Sequence, residues 1–481
     1  KMRGSSLVLA VVFLAQSVHA LWPLWAADSD SGEMRWTTLP LDHASPGAGH
    51  MDVKYFIDTA SFKKGGPVFF ILGGEGATSG SPSAGFIPEL AAEFGAAIVA
   101  TEHRFYGHSM PHGLPAPEAL STKFLQYLTI EQTLADSAAI LLEVDYILSI
   151  LSEGKEAPSS SPPRGAAAAV PKHQFIVVGG SYSGALSAFF RMKHPELSVG
   201  ALSSSGVVNA LVEFPAFDAV VSEAIGDKCS DLVRKTRAEI EAALTGGADA
   251  RAAVLATFDA SETLSDEDFR YLTADSWSMA DQYGSKAKLC SSLSAGANKG
   301  SLVDAFAAFT SDHFGKSFGR SLFYDTSRLA NASSEWGSDM ARQWRWQKCS
   351  EVGYLQSAPA KGSLRASTLT LSALEHQCAL IFGADVLAQL KASNARLLRT
   401  FGGARPHRTN ATDAIYFSNF SDDPWQAAGV AADAVKNAAL VTCDGCGHCA
   451  DLHASMESDP PALKHSRTAF KTLVGEWLKR N

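Results

Sequence analysis

The chain has 481 residues, 46% hydrophobic and 19% charged, which is ample apolar material for a large core and excludes a wholly disordered protein. Its formal net charge is −9 and no long basic run occurs, so nucleic acid is not an expected partner. At this length roughly two or three structural units are expected.

Taken in chain order, the first feature is Lys1 and Arg3 ahead of an apolar run at 7–15, followed by small residues Val18 and Ala20 around a cleavage position. That is the pattern of a secretory signal peptide over residues 1–20. The run is well short of the roughly 20 residues needed to cross a bilayer. No later stretch reads as transmembrane, so no membrane partner is expected once the leader is removed. Residues 67–72 and 96–100 are short runs of β-formers and read as buried strands. Thr129 and Gln132 form a capping box for a helix reaching Leu151. Residues 154–172 are low in complexity and read as a surface insertion. Strands follow at 174–178 and 199–202, with a helix between them that passes Arg191. Strands alternating with helices imply a parallel sheet covered on both faces.

From about 206 to 400 helical patterns dominate, as at 219–225 and 231–244, and strand-like runs return only at 414–417 and 439–441. The expected architecture is therefore α/β, with a core in two parts, 21–205 and 401–481, interrupted by a mostly helical cap at 206–400. Such a cap would sit over the strand C-termini, where open α/β sheets bind ligands.

The stretch Val177-Val178-Gly179-Gly180-Ser181-Tyr182-Ser183-Gly184 runs from a strand through a tight turn into a helix. This is the context of a nucleophile elbow, in which a strained serine presents its hydroxyl above the sheet edge. Ser183 stands where the usual motif has glycine, and a structural Gly-rich turn is the plain alternative. A serine needs a base, and the base needs an orienting carboxylate, in the chain order Ser, acid, His on this fold. Asp423 and His448 each follow a predicted strand, with Asp422 and His453 as their competitors. The expected oxyanion donors are the backbone N–H groups of Tyr182 and of Gly74 or Glu75, the latter in a glycine turn after an early strand. Glu102, His103 and Arg104 follow another strand end and are expected to pair with each other beneath the cleft.

Asn331, Asn410 and Asn419 each begin a glycosylation triplet. All seven cysteines lie at or after Cys229, and an odd count leaves at least one unpaired. Cys229 with Cys290 and Cys349 with Cys378 are the pairings put forward, although spacing does not determine connectivity. Cys443, Cys446 and Cys449 stand beside His448. A disulfide is favoured there over zinc ligation in an exported chain.

Further blocks agree in order with one known family: Leu41-Asp42-His43, Gly73-Gly74-Glu75-Gly76, Glu102-His103-Arg104-Phe105-Tyr106-Gly107, Thr129-Ile130-Glu131-Gln132 with Asp136, Cys349-Ser350-Glu351-Val352-Gly353-Tyr354, Asp423-Pro424-Trp425 and Gly447-His448-Cys449-Ala450-Asp451. With the elbow and Arg191-Met192-Lys193-His194-Pro195, they resemble the S28, or Pro-X carboxypeptidase, family of serine peptidases over nearly the whole mature chain. The resemblance implies an α/β-hydrolase core with a helical cap and a triad of Ser181, Asp423 and His448. It also implies exopeptidase action, of dipeptidyl-peptidase or carboxypeptidase type, after proline or small residues. Trp425 matches a tryptophan of the family's specificity pocket, whereas Ala185 stands where a bulkier Met is usual. Peptides are the expected partners, with a homodimer left open and no metal or organic cofactor required. The expected destination is the secretory pathway, either secreted or lysosomal. A catalytically silent binding protein and an esterase are the competing readings.

Overall fold

The computed structural model describes residues 32–156, 170–313, 323–332 and 340–480. The leader at 1–20 and most of the 154–172 insertion lie outside the described residues. Eight strands form one sheet in the order β1-β2-β4-β3-β5-β6-β7-β8. They are β1 (Glu33–Pro40), β2 (His50–Asp58), β3 (Val68–Ile71), β4 (Ala97–Thr101), β5 (Phe175–Gly180), β6 (Gly200–Ser204), β7 (Ile415–Phe420) and β8 (Ala438–Val441). From β4 to β8 all neighbours are parallel. The interior strands are buried on both faces, which is why they read as unbroken apolar runs.

The sheet is mixed, not purely parallel as expected: β1 pairs antiparallel with β2, and β2 antiparallel with β4. Both strands lacked a clear signal because polar residues interrupt them. Lys54 lies buried in the middle of β2, where its ammonium meets Glu102 at 2.9 Å. On β1, Trp36 is 43% exposed while its neighbours Thr37 and Leu39 are buried, as one solvated face of an edge strand requires.

The helix Ile130–Ser152 is capped by Thr129, whose hydroxyl accepts the Gln132 N–H at 3.3 Å. Gln132 does not complete the box. Its amide bonds the Asp42 carboxylate at 2.7 Å, and its side-chain oxygen accepts the His43 N–H at 2.9 Å. Between β6 and β7 the chain forms helices and contributes no strand to the sheet among the described residues. The two helices expected at 219–225 and 231–244 are one, Ala216–Thr245, kinked at Gly226 where φ is +76°. The cap is pinned internally by Cys229–Cys290 and Cys349–Cys378. The architecture is an α/β-hydrolase core with a helical insertion.

Several of the motif blocks are structural joints. The side chains of Glu102, His103 and Arg104 do not pair with one another; His103 Nδ1 meets the Arg104 backbone carbonyl at 2.8 Å. Glu102 accepts from Lys54, the Thr78 N–H and the Ser109 hydroxyl. Arg104, 1% exposed, forks onto Asp136 at 2.6 and 2.7 Å, and Asp136 also meets His43 at 2.6 Å. Burial would raise the Asp136 carboxyl, but Arg104 and His43 outweigh it and hold it below the ordinary aspartate value.

Candidate active site

The strand β5 ends in Gly180, and the next helix begins at Ser181 with a backbone φ of +59°. Such a conformation is strained for a residue with a side chain, and it is tolerated where the surroundings over-determine it. The packing is correspondingly tight. A Cβ on Gly179 would fall 1.9 Å from the Ser183 carbonyl oxygen, and one on Gly184 would fall 2.8 Å from that of Ser204. Ser183 fits its unusual place by bonding the turn itself. Its hydroxyl donates to the Gly180 carbonyl at 2.9 Å and accepts the Gly180 N–H at 3.1 Å.

Ser181 and His448 line one cavity, together with Glu75, Tyr182, Trp425 and residues of the cap. The loop after β8 carries His448, whose Nδ1 lies 2.8 Å from Asp423 Oδ2 in the loop after β7. Asp423 is fully buried and also accepts the Trp425 N–H at 3.0 Å. Burial alone would lower the imidazole's pKa. The Asp423 carboxylate, aided by Cys449, overrides it and raises His448 well above the ordinary histidine value. The competing acid Asp422 is engaged elsewhere, by Lys286 at 2.7 Å and the Gly445 N–H at 2.6 Å. His453 is not among the residues lining the cavity.

The histidine loop is anchored from both sides. Asp451 accepts the Ser418 hydroxyl at 2.6 Å and that of Ser204, tying the loop to β7 and β6. From the cap, Gln282 at the end of helix Asp266–Gln282 accepts the His448 N–H at 2.8 Å on its backbone carbonyl. Its side-chain oxygen accepts the Trp425 indole N–H at 3.1 Å. Nothing local in the sequence singles out Gln282, because its role depends wholly on where the cap is seated.

Glu75 sits across the cavity, half-buried, with its carboxyl pushed up to about 7 by burial while its own backbone N–H and His448 pull the other way. Gly74 lies against the elbow, 3.6 Å from Ser183 Cβ if it carried a Cβ of its own. Trp425 belongs to an aromatic cluster, with ring centroids 5.1 Å from Phe217, 5.6 Å from Tyr354 and 5.7 Å from Phe214. The Tyr182 hydroxyl accepts from Gln347 at 2.6 Å, and Gln347 in turn accepts from Tyr106 at 2.5 Å.

Cys443 and Cys446 form a disulfide and Cys449 stays free and buried, so two of the three thiols weighed for zinc are not ligands. Among the described residues no group of three or more His, Cys, Asp or Glu is placed to hold a metal. Asn410 is exposed. Asn419 corrects the expectation of a glycan there: it lies inside β7, 5% exposed, with its amide donating to the Val430 carbonyl at 3.0 Å. A sugar on that nitrogen has no room in the folded chain. No helix among the described residues is long and apolar enough to cross a membrane. Three disulfides accord with an oxidising compartment.

A strained serine at a strand-to-helix turn, a buried carboxylate–histidine pair and a shared cavity define a hydrolase of the serine type on an α/β core. Known proteins agree with that class. The sequence profile of "Serine carboxypeptidase S28" matches residues 40–155 and 165–470. The Arabidopsis thaliana protein named "Probable serine protease EDA2" is 33% identical over 433 residues, covering 88% of this chain and 81% of its own. Thymus-specific serine protease of Mus musculus is 28% identical over 496 residues, covering 97% and 91%. An Arthroderma benhamiae protein named "Probable extracellular serine carboxypeptidase" is 24% identical, covering 98% and 70%. The chain belongs to the S28 family and is a serine-type peptidase.

Proposed function

We propose that the protein is an exopeptidase that cleaves short peptides after proline or small residues through an acyl-enzyme on Ser181. In this reading the Ser181 hydroxyl attacks the scissile carbonyl while His448 Nε2 takes its proton. Asp423 holds the other ring nitrogen and stabilises the imidazolium. The Tyr182 N–H, with that of Gly74 or Glu75, receives the oxyanion. His448 then gives its proton to the leaving amine, and water repeats the sequence to release the acyl group. The observation that carries the reading is the pairing of His448 with the fully buried Asp423 at 2.8 Å, in a cavity that Ser181 also lines. Trp425 and its aromatic neighbours support the preference, because flat rings pack well on a pyrrolidine or a small side chain. The cap closes over the cavity and favours chain ends over long folded segments. The protein is proposed to act in the secretory pathway, with glycans at Asn331 and Asn410.

The test is covalent labelling and turnover. A fluorophosphonate probe should label the wild-type chain and leave Ser181→Ala unlabelled, with a loss of at least a thousandfold in hydrolysis of a proline-containing peptide and no change in circular dichroism. An unlabelled wild type would favour a silent binding protein. Turnover of esters with no turnover of peptides would favour an esterase.

A further inference from the structure

The cap wall of the cavity carries charges for which the acyl-transfer steps have no use. Helix Ala341–Gln347 and the turn Lys348–Val352 that continues it bring Arg345 and Lys348 to the cavity, and helix Asp266–Gln282 brings Tyr271 and Asp275. All four are buried, with Lys348 at 4% and Arg345 at 5% exposure. The Lys348 ammonium donates to the Tyr271 hydroxyl at 3.0 Å and to Gln356 Oε1 at 2.7 Å, both neutral partners. Arg345 donates to the Gln377 side chain and lies over the Tyr271 ring at 5.4 Å, again without a carboxylate. The third cation is Arg365, which holds Asp218 at 3.2 Å and reaches Asp275 at 3.7 Å. Three cations thus face two carboxylates; both carboxylates make their close ion pairs with Arg365, and Asp275 acts on Lys348 and Arg345 only through space.

Burying a cation with only neutral partners is costly, and the cost is relieved when an anion arrives in the same dry site. Burial depresses Lys348, with Arg345 and Arg365 adding to the effect and Asp275 opposing it without reversing it. Lys348 has one N–H beyond its two bonds, and a guanidinium offers paired donors matched to a carboxylate.

We infer that Lys348 and Arg345 form a carboxylate-binding subsite, so that this chain selects peptides bearing a carboxylate close to the scissile bond. The carboxylate can be the C-terminal group or an acidic side chain, since both present the same two oxygens. The inference deepens the peptidase reading and rests on it for the identity of the ligand.

Binding to the intact Ser181→Ala chain, followed by calorimetry, tests the subsite without needing turnover. A short proline-containing peptide with a free C-terminus is compared with its amide, and a glutamate-containing amide with its glutamine counterpart. At least one carboxylate form should bind tenfold or more tightly, and whichever does identifies the source. Lys348→Met and, separately, Arg345→Met in the same background should remove that preference, with melting temperature checking that each has folded. Equal affinity for carboxylate and amide forms would overturn the inference, as would affinity that depends only on a free amino terminus. The two readings fail separately. Carboxylate-dependent binding in a chain whose wild type resists the fluorophosphonate leaves the subsite and sinks the peptidase chemistry; labelling without carboxylate preference does the reverse.

Discussion

The strand-end loops of the core and the inner wall of the cap both face the same cavity, yet they are built on different principles. In the core, each candidate residue is held by its own short stretch of backbone: Ser181 by a turn with φ of +59°, Asp423 by the bend ahead of Pro424, His448 by a loop anchored through Asp451. In the cap, Gln282 and Arg345 sit on α-helical turns and Lys348 opens a π-helical one, and they gain their place only because whole helices pack where they do. Chemistry that needs strained or sharply positioned groups is written locally, whereas selection and support are distributed over packing.

Substitutions can sharpen this contrast. In the core, Asp423→Asn should leave the fold intact and lower kcat by about ten-thousandfold, because the imidazole loses its orienting charge; steady-state kinetics would show it, and a loss below tenfold would count against the triad. In the cap, Gln282→Leu removes the indole bond and the side-chain bond to Tyr283 while keeping the backbone carbonyl under His448. A drop of about tenfold in kcat/KM, carried mainly by KM, is expected; a fall in kcat alone would mean that the cap steers the base more than the substrate.

Asp281 probes the joint between the two regions. It is fully buried, neither of its carboxyl oxygens has a hydrogen-bond partner, and its pKa is pushed up to about 9 by burial, with Asp422 adding and Lys286 opposing. The folded chain therefore keeps a proton that the unfolded chain loses near pH 4, so stability falls as pH rises from roughly 4 to 9. Asp281→Asn should flatten that slope, read as melting temperature against pH, with the variant's advantage growing toward the alkaline end. The smallest effect is expected from Glu75→Gln. An ionised Glu75 above about pH 7 favours the protonated form of His448, so removing it should move the acid limb of kcat/KM to lower pH by a fraction of a unit.

The same division explains what could be read from residue order alone. Six strands and the elbow were legible because buried parallel strands are unbroken apolar runs and the elbow demands small residues at set positions. The antiparallel pair β1 and β2 was not, since neither is an unbroken apolar run: in β2 the buried Met51, Val53, Tyr55 and Ile57 alternate with Asp52 and with Lys54, which is held by Glu102, a partner 48 positions away. Arg104 illustrates the opposite error: its charged neighbours Glu102 and His103 invited a local pairing, while Asp136 on a distant helix was the partner. Asn419 matched a glycan triplet, but the triplet says nothing of burial, and its amide serves β7. Gln282, Arg345 and Lys348 left no local trace, because only the docking of the cap gives them a task.

The two bonds at Gln282 also constrain how anything gets in. One residue of the insertion grips both His448 and the indole beside it, so swinging the insertion away as a hinged lid would unsettle the very groups it uncovers. An entrance used with that grip intact would select peptides by its width and not by the timing of a moving flap.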